Sequence, residues 1–333
     1  MDLVDDTGVG IYLKLLNIVV LSQYVHEYES GEENPYPALA ERFNIQSDYI
    51  DTYLRFSSIF NNTKEDNEPD EQALTVKELY ETAWTIFPER TYDDSLELIH
   101  KRLKANSMDS SFFDKKICLD GGCGTGRFAI AMAQLGAHQS IGIDIGSKSI
   151  EFAEAQKQRL GVSNVHFKVM SVDELDFPDN YFDVVVSNGV LHHIDQTQNG
   201  LMEHMRVLKE GGIMWLYLYG KGGIFWELYD IFKYTLRHIS YHKAQKVWKA
   251  FHLRENKFYL LSDNVYVPIR KYFSLQDVEN MLANSYAYEY EILKGATGDD
   301  DVKELLSKPY GKDFWGEEGE IRVKITKHKN VFQ

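Results

Sequence analysis

The sequence predicts an α/β fold: a doubly wound, mostly parallel sheet of seven strands, preceded by an all-helical N-terminal domain and carrying a helical cover inserted after the fifth strand. Three observations predict it. From Lys115 onward, short apolar strand patterns alternate with helical ones, an order that sets parallel strands side by side with crossover helices on both faces. Before that point, residues 1–112 carry only helical apolar spacing. The glycine cluster at 121–126 falls directly between the first strand pattern and the first helix of the alternating part. The expected division is therefore 1–112 and 113–333, with 221–272 as the cover. A length of 333 residues gives both parts enough chain for a core.

Residues 9–30 place Ile11, Leu15, Ile18 and Val19 on one helical face and end at a Ser-Gly-Glu-Glu-Asn-Pro turn signal. Two helices over 36–44 and 47–60, joined by a short turn, resemble a helix-turn-helix, a shape that serves DNA reading or dimer packing. The second helix offers Arg55 beside Asp48 and Asp51, a balance that repels phosphate, so DNA is not expected as a partner. Residues 61–71 form an acidic loop, and helices resume at 75–86 and 93–106.

Strands follow at 116–120, 140–144, 165–169, 182–187 and 213–219, with helices at 126–135, 147–160 and 197–208 between them. The last of these helices stops at Gly211-Gly212. Aromatic-rich helices occupy 223–252. A helix over 274–285 has Ser274 as its cap and Asp277 in its first turn. Strands at 288–293 and 320–325 close the sheet as a hairpin or antiparallel pair.

Composition narrows the function. Hydrophobic residues make up 44% of the chain and charged residues 26%, which is globular rather than disordered. The densest apolar run, 15–21, is far short of the roughly 20 residues that span a bilayer, and it follows Asp2, Asp5 and Asp6 where a secretory leader would be basic. Two cysteines, Cys118 and Cys123, are too few for a disulfide framework or a zinc site, so a reducing, cytoplasmic setting and no metal are expected. The net charge of −15 is uneven. Residues 1–112 hold 22 acids and 9 bases, whereas 221–272 hold 10 bases and 4 acids, a balance of +6.

The chemistry centres on LDGGCGTGR (119–127). Gly122, Gly124 and Gly126 let the backbone turn sharply and approach a ligand, with amides at the helix start available to an anion. The spacing is G-x-G-x-G, not the dinucleotide G-x-G-x-x-G, and Asp144 lies 18 positions beyond Gly126 at the end of the second strand, where an acid accepts from ribose hydroxyls.

With GIDIG (142–146), FPDNYFDVVVSNGVLHHI (177–194) and VLKEGGIMWLYLYG (207–220), this loop resembles the class I S-adenosylmethionine-dependent methyltransferases, in particular the small-molecule branch that includes enzymes of the ubiquinone and menaquinone type. The resemblance implies a Rossmann-like fold and S-adenosyl-L-methionine as cofactor. It places the methionine end on Gly122, Gly124 and Gly126, flanked by Asp120 and Arg127. Asp144 would take the ribose, Ile145 and Val172 the adenine faces, and Asn188 the wall near the sulfonium. Two positions depart from the family pattern. Gly121 stands where an aliphatic residue is usual, and Ser171 stands where an acid usually accepts from the adenine amino group. The N-terminal helices resemble the dimerisation domains of some O-methyltransferases, which favours a homodimer.

Methyl transfer is an in-line displacement at a carbon already activated, so the protein chiefly aligns a nucleophile and excludes water. A general base is needed only where the nucleophile must shed a proton. The catalytic candidates are His192, His193 and Tyr219, although His193 reads equally as a structural residue of the strand–helix turn. The cover's basic balance, with Tyr266, Arg270, Tyr272 and Trp226, points to a small anionic metabolite bearing a carboxylate or phosphate. Two other readings stay open: an RNA methyltransferase with 221–272 as its groove, and a non-catalytic cofactor-sensing protein.

Overall fold

The computed structural model describes residues 8–29, 36–60, 75–84, 89–250, 258, 260–283, 285–297 and 300–329. The turn signal at 30–35 and the acidic segment at 61–71 lie outside the described residues.

The sheet consists of β1 (Ile117–Gly121), β2 (Gln139–Asp144), β3 (Val165–Val169), β4 (Phe182–Asn188), β5 (Leu208–Leu218), β6 (Ala287–Ile292) and β7 (Ile321–His328). Their order is β3-β2-β1-β4-β5-β7-β6, and only β7 runs antiparallel to its neighbours. The chain builds outward from β1 to β3, then returns to add β4 on the other side of β1. That reversal leaves a crevice at the carboxyl ends of β1 and β4, the place where open α/β sheets bind ligands.

The N-terminal part holds α1 (Gly8–Glu29), α2 (Tyr36–Phe60), α3 (Val76–Trp84) and α4 (Glu89–Ala105), followed by the short α5 (Ser110–Phe113). The helix-turn-helix expected over 36–60 is absent: α2 is one continuous helix of 25 residues. Between Phe43 and Ser47 there is no Gly or Pro to stop it, so helical hydrogen bonding continues through the expected turn. None of the described helices is long and apolar enough to cross a membrane.

Between β-strands run α6 (Arg127–Gln134), α7 (Ser147–Leu160) and α8 (Thr197–Val207). The Gly211-Gly212 pair does not end α8 as expected. It lies inside β5, where Phe182 pairs with Leu208 but Val184 pairs with Ile213, so the extra residues form a bulge before regular pairing resumes. The cover holds α9 (Ile224–Thr235) and α10 (Tyr241–Ala250), then a π-helical turn at Ser262–Tyr266 and α11 (Leu275–Leu282). Ser274 caps α11 in a reciprocal capping box with Asp277.

Two apolar cores flank the sheet, and a third joins the cover to α1. In this third core Ile11, Leu15 and Ile18 of α1 pack with Phe225, Tyr229 and Phe232 of α9 and Trp248 of α10. Most of the cover's aromatics therefore serve its own packing, and α1 completes it.

Candidate active site

The loop after β1 turns on three glycines with positive φ, at 122, 124 and 126. At Gly124 nothing stands within 4 Å of where a Cβ would lie, so the backbone there faces open space. Asp144, at the end of β2, braces the loop: its Oδ2 accepts from the Gly124 amide at 2.9 Å and its Oδ1 from the Gly146 amide at 2.7 Å. Burial pushes its pKa up against the pull of these two amides. Asp120 accepts from the Ala129 amide at 3.0 Å, and burial raises its pKa to about 7. Arg127 is half-buried, and desolvation lowers its pKa against the pull of Tyr92 and Asp120.

The unusual Gly121 now has a reason. A Cβ there would sit 2.1 Å from Nε2 of His204, whose ring fills the space an aliphatic side chain would take. Ser171, the other departure, donates its hydroxyl to Asp173 two residues on, which leaves the serine oxygen free to accept.

A cavity of about 430 Å³ extends from this loop to the cover, within the usual range for small-molecule sites. Asp120, Gly122, Gly124, Arg127, Asp144, Ile145, Ser171, Val172 and Asn188 all line it, whereas Gly126 does not: a Cβ there would meet Phe167 and Ala153, so this glycine serves close packing. The amide oxygen of Asn188 accepts from the Trp215 indole at 3.2 Å. Ile145 is 52% exposed at the mouth.

At the cover end the lining includes Tyr80, His193, Tyr217, Tyr219, Phe225, Trp226 and Asp263. Tyr217 donates to Glu320 at 2.6 Å, whereas the polar groups of Tyr80, Tyr219 and His193 converge on Asp263. Tyr80 donates to its Oδ1 at 2.7 Å and Tyr219 to its Oδ2 at 2.8 Å, while Nε2 of His193 lies 3.9 Å from Oδ1. The His193 Nδ1 is 2.8 Å from the Ile269 carbonyl, which can only accept. The proton therefore sits on Nδ1, and Nε2 keeps its lone pair. Burial lowers the His193 pKa more than Asp263 raises it, so the ring is neutral at pH 7. Both tyrosines are held far above pKa 10, by burial first and by Asp263 second.

His192 is not in the cavity. It lies behind Tyr219, stacked at 3.7 Å between centroids, and its Nδ1 accepts from the Tyr219 amide at 3.2 Å. Of the four residues expected at the substrate, only Trp226 lines the cavity. Tyr266 packs inside the cover against Tyr241 and Trp248, at 5.4 and 5.9 Å. Arg270 is buried and bonded to the Asp230 carboxylate and the Asn264 carbonyl. Tyr272 donates to the same Asp230 at 3.0 Å. The π-helical turn explains the exchange: it presents Asp263 to the cavity and, three residues later, turns Tyr266 into the cover. Sequence reasoning missed Asp263 and Tyr80. Asp263 lies only three positions before Tyr266 in the same cover, whereas Tyr80, 183 positions away, carried no local signal.

The sequence model of a family described as a methyltransferase domain matches residues 113–306, more than half of the chain. The chain belongs to this methyltransferase family. Its members use S-adenosylmethionine, and the switch-point crevice, glycine loop and cavity of this chain coincide in one place. Among curated proteins, a ribosomal protein L11 methyltransferase of Hamiltonella defensa is 45% identical over 82 residues, covering 24% of this chain and 26% of that protein. An uncharacterized methyltransferase, YcgJ of Bacillus subtilis, is 34% identical over 80 residues, covering 24% and 31%. The matches thus span about a quarter to a third of those relatives. The crystal structure of YcgJ superposes with a TM-score of 0.42 at 20% identity, over 72% of this chain and all of that one.

Proposed function

We propose that the chain is an S-adenosylmethionine-dependent methyltransferase acting on a small molecule held between the glycine loop and the cover. One observation carries the reading: a single cavity is lined at one end by Gly122, Gly124 and Asp144 and at the other by His193, Tyr219 and Asp263. The residues fit the cofactor. The open backbone at Gly124 suits its amino-acid end, with Asp120 and Arg127 as charged neighbours. Asp144 offers carboxylate lone pairs for the ribose, Ile145 and Val172 offer apolar faces for adenine, and the freed Ser171 oxygen replaces the usual acid. When bound, the cofactor supplies an electrophilic methyl carbon on a sulfonium.

His193 is the general base in this proposal, because its Nε2 carries a lone pair into the cavity. Tyr219 keeps its proton and serves to hold Asp263, and His192 positions Tyr219 from behind. The expectation of an anionic metabolite rested on Arg270 and Tyr266, which are engaged elsewhere, so it is not carried into the proposal. The RNA reading loses support for the same reason. Lys221, Lys233, Arg237 and Arg270 are each bonded to protein groups. A homodimer through the N-terminal helices remains part of the proposal, with Phe43 and Tyr49 exposed on α2, and light scattering at low concentration tests it.

Titration with S-adenosylhomocysteine should show binding to the wild type and about tenfold weaker binding to Asp144→Ala, the loss of roughly 1.4 kcal/mol. His193→Gln should leave that affinity unchanged and lower kcat by about 10² or more, the contribution of a positioned base. No binding to the wild-type chain would overturn the reading.

A further inference from the structure

The acceptor end of the cavity has a chemistry of its own. Asp263 is a carboxylate whose two oxygens each receive one tyrosine hydroxyl. A carboxylate has about four acceptor positions, so lone pairs remain on both oxygens. The bare Nε2 of His193 stands 3.9 Å from Oδ1. Both residues line the cavity. Two acceptors at that separation can be bridged at ordinary hydrogen-bond distance by one atom that carries two or more hydrogens. A hydroxyl has one hydrogen and satisfies only one of them. A carboxylate or phosphate has none and meets the Asp263 charge. An ammonium nitrogen satisfies both.

The surrounding walls agree with this. Tyr80, Tyr219, Phe225 and Trp226 line the same end, with Tyr80 and Tyr219 rings 5.6 and 5.4 Å from the His193 ring and Trp226 4.3 Å from Tyr219. Aromatic faces attract cations, more strongly where water is excluded. Arg270 does not line the cavity and is bonded to Asp230 and the Asn264 carbonyl, whereas Arg102, which does line it, is paired with Asp300.

We infer that the acceptor is a primary or secondary amine, bound as its ammonium between Asp263 and His193 within an aromatic wall. This rests on the methyltransferase reading above. The ammonium passes one proton to Nε2 of His193. The freed nitrogen lone pair then forms the bond to the methyl carbon while the carbon–sulfur bond breaks and its electron pair stays on sulfur. The positive charge moves from sulfur to the methylated nitrogen, Asp263 faces the new imidazolium, and the proton leaves through the cavity mouth.

The test compares three probes of one shape, 2-phenylethylamine, 2-phenylethanol and phenylacetate, titrated into the full chain saturated with S-adenosylhomocysteine, which has no sulfonium charge to compete. The amine should bind at least tenfold more tightly than the other two. In Asp263→Asn that preference should vanish while affinity for S-adenosylhomocysteine stays within about twofold. An alcohol or acid that binds as well as the amine, or no binding of the amine, overturns the inference and leaves the cofactor reading standing. An amine preference that survives in Asp263→Asn also overturns it. Failure of S-adenosylhomocysteine to bind the wild type, read first, overturns both. The wild-type comparison decides the matter even if the variant does not fold.

Discussion

Gly121 and His204 illustrate how one residue's identity is set by another 83 positions away. His204 donates from Nδ1 to the Gly200 carbonyl at 2.7 Å, and burial lowers its pKa to about 4, so it stands as a neutral ring beneath the cofactor loop. Restoring an aliphatic side chain with Gly121→Val would drive a Cβ into that ring. The loss should be about 1–3 kcal/mol, the usual cost of overpacking a core. Adding His204→Ala to the same chain should recover part of it. Thermal melts of the two single variants and the double variant would measure the coupling; simple additivity would refute the pairing. The departure at 121 was plain in the sequence, but its cause was not, because sequence spacing says nothing of which side chain fills a vacated space.

Among the elements, legibility followed how local the controlling signal was. The strands β1 to β5 and the capped helix α11 could be read because hydrophobic patterning and caps act within a few residues. The break expected in α2 was inferred from resemblance and not from a breaking residue, and no break occurs. The π-helical turn at Ser262–Tyr266 turns the expected Tyr266 away from the cavity and presents Asp263, which the cover's basic balance does not single out. Association between elements was also hidden. α1 has the apolar face of a domain of its own, yet Leu15 and Ile18 are fully buried in the core shared with α9 and α10. Removing residues 1–72 should therefore strip the cover of one wall. The shortened chain should bind a hydrophobic dye and exchange amide hydrogens in α9 and α10 much faster than the full chain. Unchanged protection there would mean the cover stands without α1.

At the scale of the whole molecule, the charge balance and the proposed ligand preference separate. Most of the −15 resides in the first 112 residues, and Lys221, Lys233, Arg237 and Arg270 of the basic cover are bonded to carbonyls and carboxylates and do not line the cavity. The cavity is lined by side chains at the carboxyl ends of the strands and, at its far end, by Tyr80 of α3, Trp226 of α9 and Asp263 of the π-helical turn. The site's location was legible as soon as the glycine loop was placed after the first strand, because the topology of a doubly wound sheet fixes where its crevice lies. The site's contents at the far end depend on α3 and the π-helical turn meeting across the fold, which no single stretch of sequence announces.

One consequence of the loop concerns its sulfur. Cys123 is buried between the glycines, 8% exposed, with its thiol pKa pushed well above 9 by burial first and by the Asp120 charge next. A thiol in that state reacts only when the loop opens and water reaches it. Its alkylation by iodoacetamide is thus a built-in clock for loop opening, readable by mass spectrometry on the unlabelled native chain. The labelling half-time should lengthen as S-adenosylhomocysteine is added, in proportion to the fraction of the chain that has bound it. Cys118, wholly buried within β1, marks a much slower hand on the same dial, that of the sheet itself coming apart.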